Sequence, residues 1–138
     1  MNNKLVENLF NRDPAIINLG LKLLASEVGS VTIALDIEDR HLNFNGTCHG
    51  GIVFSLADAA FGLAANSHGA VAAGISNNIN YYAGSKTGDR LTAKSIEITR
   101  SRSLASYSVE VLRNDERIVA SLTGTVFITK DEHPPVPE

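Results

Sequence analysis

In the run HGGIVFSLADAAFG, His49 to Gly62, two glycines follow a histidine, and one carboxylate, Asp58, stands among apolar residues. A carboxylate can act as a nucleophile or as a general base on water. Glycines opening a helix leave the first-turn N–H groups unobstructed. Helped by the helix dipole, such groups can hold a carbonyl or anionic oxygen, an oxyanion hole in outline. The same HGG also reads as a tightly packed helix entry. At about 100° per residue, Gly51, Ser55, Asp58 and Gly62 fall within roughly 60° of one another. This narrow stripe of small and polar groups admits two readings. Either a neighbouring element packs closely, with Asp58 as a hydrogen-bonded lock, or a ligand lies beside the carboxylate.

Gly50 and Gly51 precede Asp58 by eight and seven residues, about 10–12 Å along a helix. An attacking group must lie within about 3–3.5 Å of the reacting atom. A catalytic reading therefore requires two chains with their helices antiparallel across a two-fold axis. Asp58 of one would face Gly50 of the other, in a homodimer with two shared sites. Cys48 beside His49 offers a thiol and a base, but adjacent residues do not face each other, so Cys48 reads as a small buried residue. His41, Cys48, His49 and His68 lack the paired spacing of a zinc site, and no metal is expected. His41 and His68 read as loop-end residues.

The elements that must position these groups follow from periodicity. NKLVENLFNRD spaces Leu5, Val6, Leu9 and Phe10 as a short amphipathic helix that stops or bends at Pro14. Val31, Ile33, Leu35 and Ile37 alternate with polar or small residues, a half-buried strand entered through a Gly29-Ser30 hairpin turn. Asn45-Gly46 marks another turn. From Gly50 to about Ser67 the residues are nearly all apolar or small, so this helix is buried and Asp58 with it. Four further strands are expected, in AVAAGISNNINYY, DRLTAKSIEITRS, LASYSVEVLRN and ERIVASLTGTVFITK, with a tight turn at Asn114-Asp115. Strands that follow one another without crossover helices are mostly antiparallel. The fold class is α+β, one curved antiparallel sheet with a helix lying on it. Residues 1–130 form a single domain and 131–138 a Pro-rich tail.

With 138 residues, 43% hydrophobic and 20% charged, the chain suits one globular domain. A net charge of −3 gives no footprint for nucleic acid or for an anionic membrane surface. No apolar run is long enough to span a bilayer, the N-terminal residues do not read as a signal peptide, and the single cysteine suits a reducing compartment. A cytoplasmic location is expected.

NFNGTCHGGIVFSLADAAFGLAANS resembles the hotdog-fold acyl-CoA thioesterases of the phenylacetate-pathway (PaaI) type. The pattern is Asn43, a short loop, His49-Gly50-Gly51, and Asp58 nine residues after the histidine. FSLADAAF is especially similar to PaaI proteins, and GISNNINYY resembles the strand after the family's central helix. The resemblance implies a hotdog fold, in which a curved antiparallel sheet wraps a long central helix. It also implies hydrolysis of an aryl-acetyl or short- to medium-chain acyl-CoA. Asp58 would be nucleophile or general base, and the Gly50 N–H, aided by Gly51, would polarise the thioester carbonyl from the other subunit. Asn43 would position the thioester or the attacking water, His49 would lie near the sulfur, and Ser76 would orient the water. No cofactor is implied, since coenzyme A belongs to the substrate. Many relatives pair dimers into tetramers, so a homotetramer is expected. Arg100 and Arg102, on one strand face, suit the phosphates of coenzyme A, although a solvated strand face accounts for them equally. Relatives often carry a proline-containing turn where this chain has YYAGSKTGD, at the border of the acyl and pantetheine region. A non-catalytic acyl-CoA-binding module is the rival reading, and a hotdog dehydratase a third.

Overall fold

In the computed structural model, which describes residues 2–137, Asn3 opens the first element. Met1 and Glu138, the outermost residues of the expected domain and tail, lie outside that range. The Asn3 side chain accepts from the Val6 N–H at 3.1 Å, capping α1 (Lys4–Asn11). Pro14 does more than end this helix. Asp13 caps the Ile16 N–H at 3.3 Å and Pro14 takes the first helical position, so a second helix, α2 (Pro14–Leu19), follows at once. It ends on Gly20 at φ 83°.

The remaining elements are β1 (Lys22–Glu27), β2 (Ser30–Asp36), a 3-10 turn (Asp39–His41), α3 (Gly50–Asn66), β3 (Ala70–Tyr81), β4 (Arg90–Arg100), β5 (Leu104–Arg113) and β6 (Ile118–Glu132). All neighbours pair antiparallel in one sheet of order β1-β2-β4-β5-β6-β3. This is the expected hotdog arrangement, with β3 at an open edge.

The sheet curls round α3 because both contribute apolar faces. Val53, Leu56, Ala57, Ala60, Phe61 and Ala64 of the helix are buried against Val31, Ile33 and Leu35 of β2 and Val109 and Val111 of β5. Each large aliphatic side chain so enclosed contributes about 1.5–3 kcal/mol. Phe61 meets Tyr107 edge-on, with ring centroids 5.9 Å apart. Gly124, in the middle of β6, has to be glycine for steric reasons. A Cβ there would collide with the Asn77 side chain and stand 2.8 Å from the Phe61 ring.

Three details depart from the expected layout. His41 is buried rather than a loop end: its Nδ1 accepts from the Glu38 N–H and its Nε2 donates to Leu19 O, each at 2.9 Å. The β5–β6 loop runs over residues 114–117 with Glu116 at φ 67°, longer than the tight turn expected. The segment assigned to a tail from residue 131 begins inside the fold. There β6 continues to Glu132, and the His133 N–H donates to Gly69 O at 2.8 Å.

Candidate active site

Asp58 is not in the core. The stripe it shares with Ser55 and Gly62 lies along a groove of about 550 Å³ whose opposite wall is α1 and α2. Its carboxylate is reachable by solvent in the single chain. One Asp58 oxygen accepts from Asn77 Nδ2, on β3, at 3.4 Å. Partial desolvation pushes the Asp58 pKa above the usual carboxylate range; the Asn77 bond favours the charged form and opposes this, while Asp13 adds to the rise.

At the start of α3, His49 is the N-cap and its Nδ1 accepts from the Gly51 N–H at 2.9 Å. That N–H is therefore satisfied within its own chain, against the expectation that Gly51 would meet the substrate. A backbone N–H can only donate, so His49 Nδ1 is the unprotonated nitrogen and the proton sits on Nε2. The Gly50 N–H, one residue earlier, makes no hydrogen bond among the described residues. The helix offers one free amide at its positive end, and a histidine fixes the amide beside it.

Asn43 is equally committed. Its Oδ1 accepts from the Asn45 N–H at 2.9 Å and from the Thr47 N–H and Oγ1 at 3.3 Å, which ties the loop into a rigid turn. Only its Nδ2 is left to meet a ligand, as a donor. Phe44, at the tip of this loop, is 96% exposed.

The strand β3 touches both ends of the candidate site. Asn77 holds Asp58, and Tyr81 donates its hydroxyl to Gly50 O at 3.1 Å. Four strand residues span about 13 Å, and the eight helical residues from Gly50 to Asp58 span about 12 Å. The two elements therefore run antiparallel in matched register, and the separation that keeps Asp58 from its own Gly50 is held rigidly. Alternation along β3 identifies these residues: Ile79 turns inward, and Asn77 and Tyr81 share its face, lying opposite Gly124 and Ala120. Ser76 is opposite Thr125 on the other face, so it does not approach Asp58 within this chain.

Arg100 and Arg102 do not share a strand face. Arg100 ends β4 with one guanidinium nitrogen buried, close enough to Tyr107 and Glu97 to act on their titration. Arg102 is exposed in the β4–β5 turn. Neither lines the groove. Glu97 is a hub there: Tyr107 donates to it at 2.6 Å, and His68 is paired with it at 2.6 Å. Cys48 is buried, and desolvation lifts its thiol pKa to about 11, so it carries a proton at neutral pH.

Residues 45–120 match the Thioesterase superfamily model. A putative esterase of Archaeoglobus fulgidus is 34% identical over 92% of this chain and 82% of its own length. The acyl-coenzyme A thioesterase PaaI of Escherichia coli is 28% identical over 84% of this chain and 83% of its own. The solved structure of the E. coli PaaI protein superposes with a TM-score of 0.89 at 26% identity, covering 91% of each chain. A Streptococcus mutans protein solved with acetyl-CoA superposes with a TM-score of 0.79 at 30% identity, covering 83% of this chain and 92% of that one.

Proposed function

Because this chain belongs to the thioesterase superfamily, as a hotdog-fold member of PaaI type, we propose that it hydrolyses an acyl-CoA to the free acid and coenzyme A. Aryl-acetyl and short- to medium-chain acyl groups are the candidate class. The observation that carries this reading is the pairing of a partly desolvated, solvent-reachable carboxylate, Asp58, with an unpartnered helix N-terminal amide, Gly50. The first suits attack on an acyl carbon or deprotonation of water. The second suits the oxyanion that either course generates.

These groups are about 12 Å apart along one helix, so the reading needs a homodimer with Asp58 and Gly50 drawn from different subunits. The open edge of β3, twelve residues long and exposed over most of its length, supports it. Unpaired strand edges seek a partner, and a two-fold pairing of β3 with its copy brings both Asp58–Asn77 pairs near the seam. Pairing of such dimers into a tetramer is the larger assembly we assign. Asn43 Nδ2 and His49 Nε2–H remain as donors for the thioester, its sulfur or the attacking water. The Gly51 N–H is already held by His49, Ser76 lies on β3 at the proposed seam where it faces the partner's site rather than its own Asp58, and no cofactor is required.

A free-thiol release assay over a small acyl-CoA panel tests the reaction. Asp58→Asn keeps the shape and removes the charge, and is expected to lower kcat by about 100-fold or more with the fold intact by circular dichroism. Substantial turnover in that variant would remove Asp58 from the mechanism. Binding without turnover in the wild type would favour an acyl-CoA-binding module instead.

A further inference from the structure

From Ser55 to Asn66, one face of α3 floors the groove for about 16 Å. Asp58 lies towards one end. Leu9, Ile16, Phe54 and Leu63 make the walls apolar, and Gly62, midway, leaves the floor bare, since a Cβ there would meet nothing within 4 Å. The far end is polar. Asn66 Nδ2 donates to Gly62 O at 2.8 Å and to Ala72 O at 3.1 Å, while its Oδ1 accepts from the Ala72 N–H at 2.9 Å. These bonds fix which amide atom is oxygen, so His133 Nε2, 2.7 Å from that oxygen, carries a proton and donates it. Arg12 lies at the same end, close enough for its charge to hold down the His133 pKa alongside burial. Arg12 donates Nε to Asn8 Oδ1 at 3.0 Å and pairs with no carboxylate among the described residues.

We propose that this groove holds the acyl group along α3 and selects a chain of about eight to ten carbons whose far end carries an oxygen accepting from Arg12. The inference rests on the hydrolase reading and specifies its substrate. Eight helical residues separate Asp58 from Asn66, about 12 Å, and an extended chain advances about 3.5 Å every three bonds, so about ten bonds bridge the gap. A much shorter chain leaves the apolar walls wet. Arg12 is exposed and gives its Nε to Asn8, so a methyl terminus leaves the remaining guanidinium N–H groups to water, whereas an oxygen terminus offers them an acceptor. A volume of about 550 Å³ lies within the range of small-molecule sites. A hydroxyl and a carboxylate share the required oxygen.

Thiol release is measured on butyryl-CoA and on nonanoyl-CoA in three forms, ending in methyl, hydroxyl or carboxylate. The wild type is expected to favour an oxygen-ended nine-carbon chain over its methyl twin by about tenfold in kcat/KM, and the two oxygen arms show which source is read. Arg12→Met should erase that preference, read as the ratio of oxygen-ended to methyl-ended kcat/KM, and Arg12→Lys should restore part of it. Gly62→Leu, which plugs the groove midway, should lower kcat/KM for the nine-carbon chains by about tenfold or more relative to butyryl-CoA measured on the same variant. Equal losses on long and short chains in a folded Gly62→Leu protein, or an oxygen preference that survives Arg12→Met, would overturn the proposal. Calorimetric binding of the matching non-hydrolysable thioethers gives the same comparison without turnover. A wild type that binds them with these preferences and releases no thiol refutes the hydrolase reading alone, and one that binds all lengths and termini equally refutes this one.

Discussion

At the scale of single residues, the chemistry rests on a carboxylate held in its less comfortable state. Burial and Asp13 raise the Asp58 pKa above the ordinary 3.8, so the folded state binds a proton more tightly than the unfolded chain. Between those two pKa values stability falls as pH rises, and above both the ionised group is a standing cost. Asp58→Asn is therefore expected to raise Tm slightly at pH 7 and to have no such effect near pH 3, by thermal melts at both. In the wild type, kcat/KM should fall with acidification through the raised pKa, whereas a pH-independent rate down to pH 4 would mean that Asp58 is not the base. Asp58 and Gly50 stood out as candidates from type and spacing, and the family resemblance added His49. Their hydrogen bonds were not legible there: that His49 caps Gly51, leaving Gly50 as the one free amide, depends on a side-chain rotamer. Asn77 escaped notice because its face on the strand is decided by the register opposite Gly124.

At the scale of elements, strand alternation and the apolar helix announced the sheet, the wrapped helix and most boundaries. What the pattern missed was local. Pro14 was read as a stop or bend, but with Asp13 before it as a cap it also begins a helix, and that helix forms part of one wall of the groove. Asp58 was expected in the core because the residues around it are apolar, yet a groove can hold one stripe of a mostly buried helix open to solvent. Gly124 shows how tightly the elements fit. Gly124→Ala should cost about 1–3 kcal/mol, because the new methyl competes with Phe61 and Asn77 for the same space. It should also lower kcat by displacing Asn77 from Asp58. A variant as stable and active as the wild type, by melting and thiol release, would mean that the strand yields easily at this point.

At the scale of the whole molecule, the shared-site arrangement makes a prediction that no single-chain mechanism shares. Gly50→Pro deletes the amide while suiting the first helical position, and a Cβ there meets Tyr81 only at an ordinary 3.7 Å. Gly50→Pro and Asp58→Asn should each be nearly inactive. Unfolded, mixed in equal amounts and refolded, they should regain about a quarter of wild-type turnover, because half the dimers are mixed and each mixed dimer has one intact site. No recovery, with mixed dimers demonstrated by mass spectrometry, would return both groups to one subunit.

One wall of the groove is written on a different stretch of the chain from the catalytic helix that floors it. Eight of the groove's lining residues lie between Leu9 and Leu21, and none comes from β3, the strand that braces Asp58 and the helix start. Acyl preference and catalytic geometry can therefore be inherited separately. Grafting the first 21 residues of a relative onto this chain should transfer the relative's chain-length profile, and a graft that keeps a carboxylate at Asp13 should also keep the pH-rate profile, so new substrates become reachable by recombination at the N-terminus without relearning the reaction.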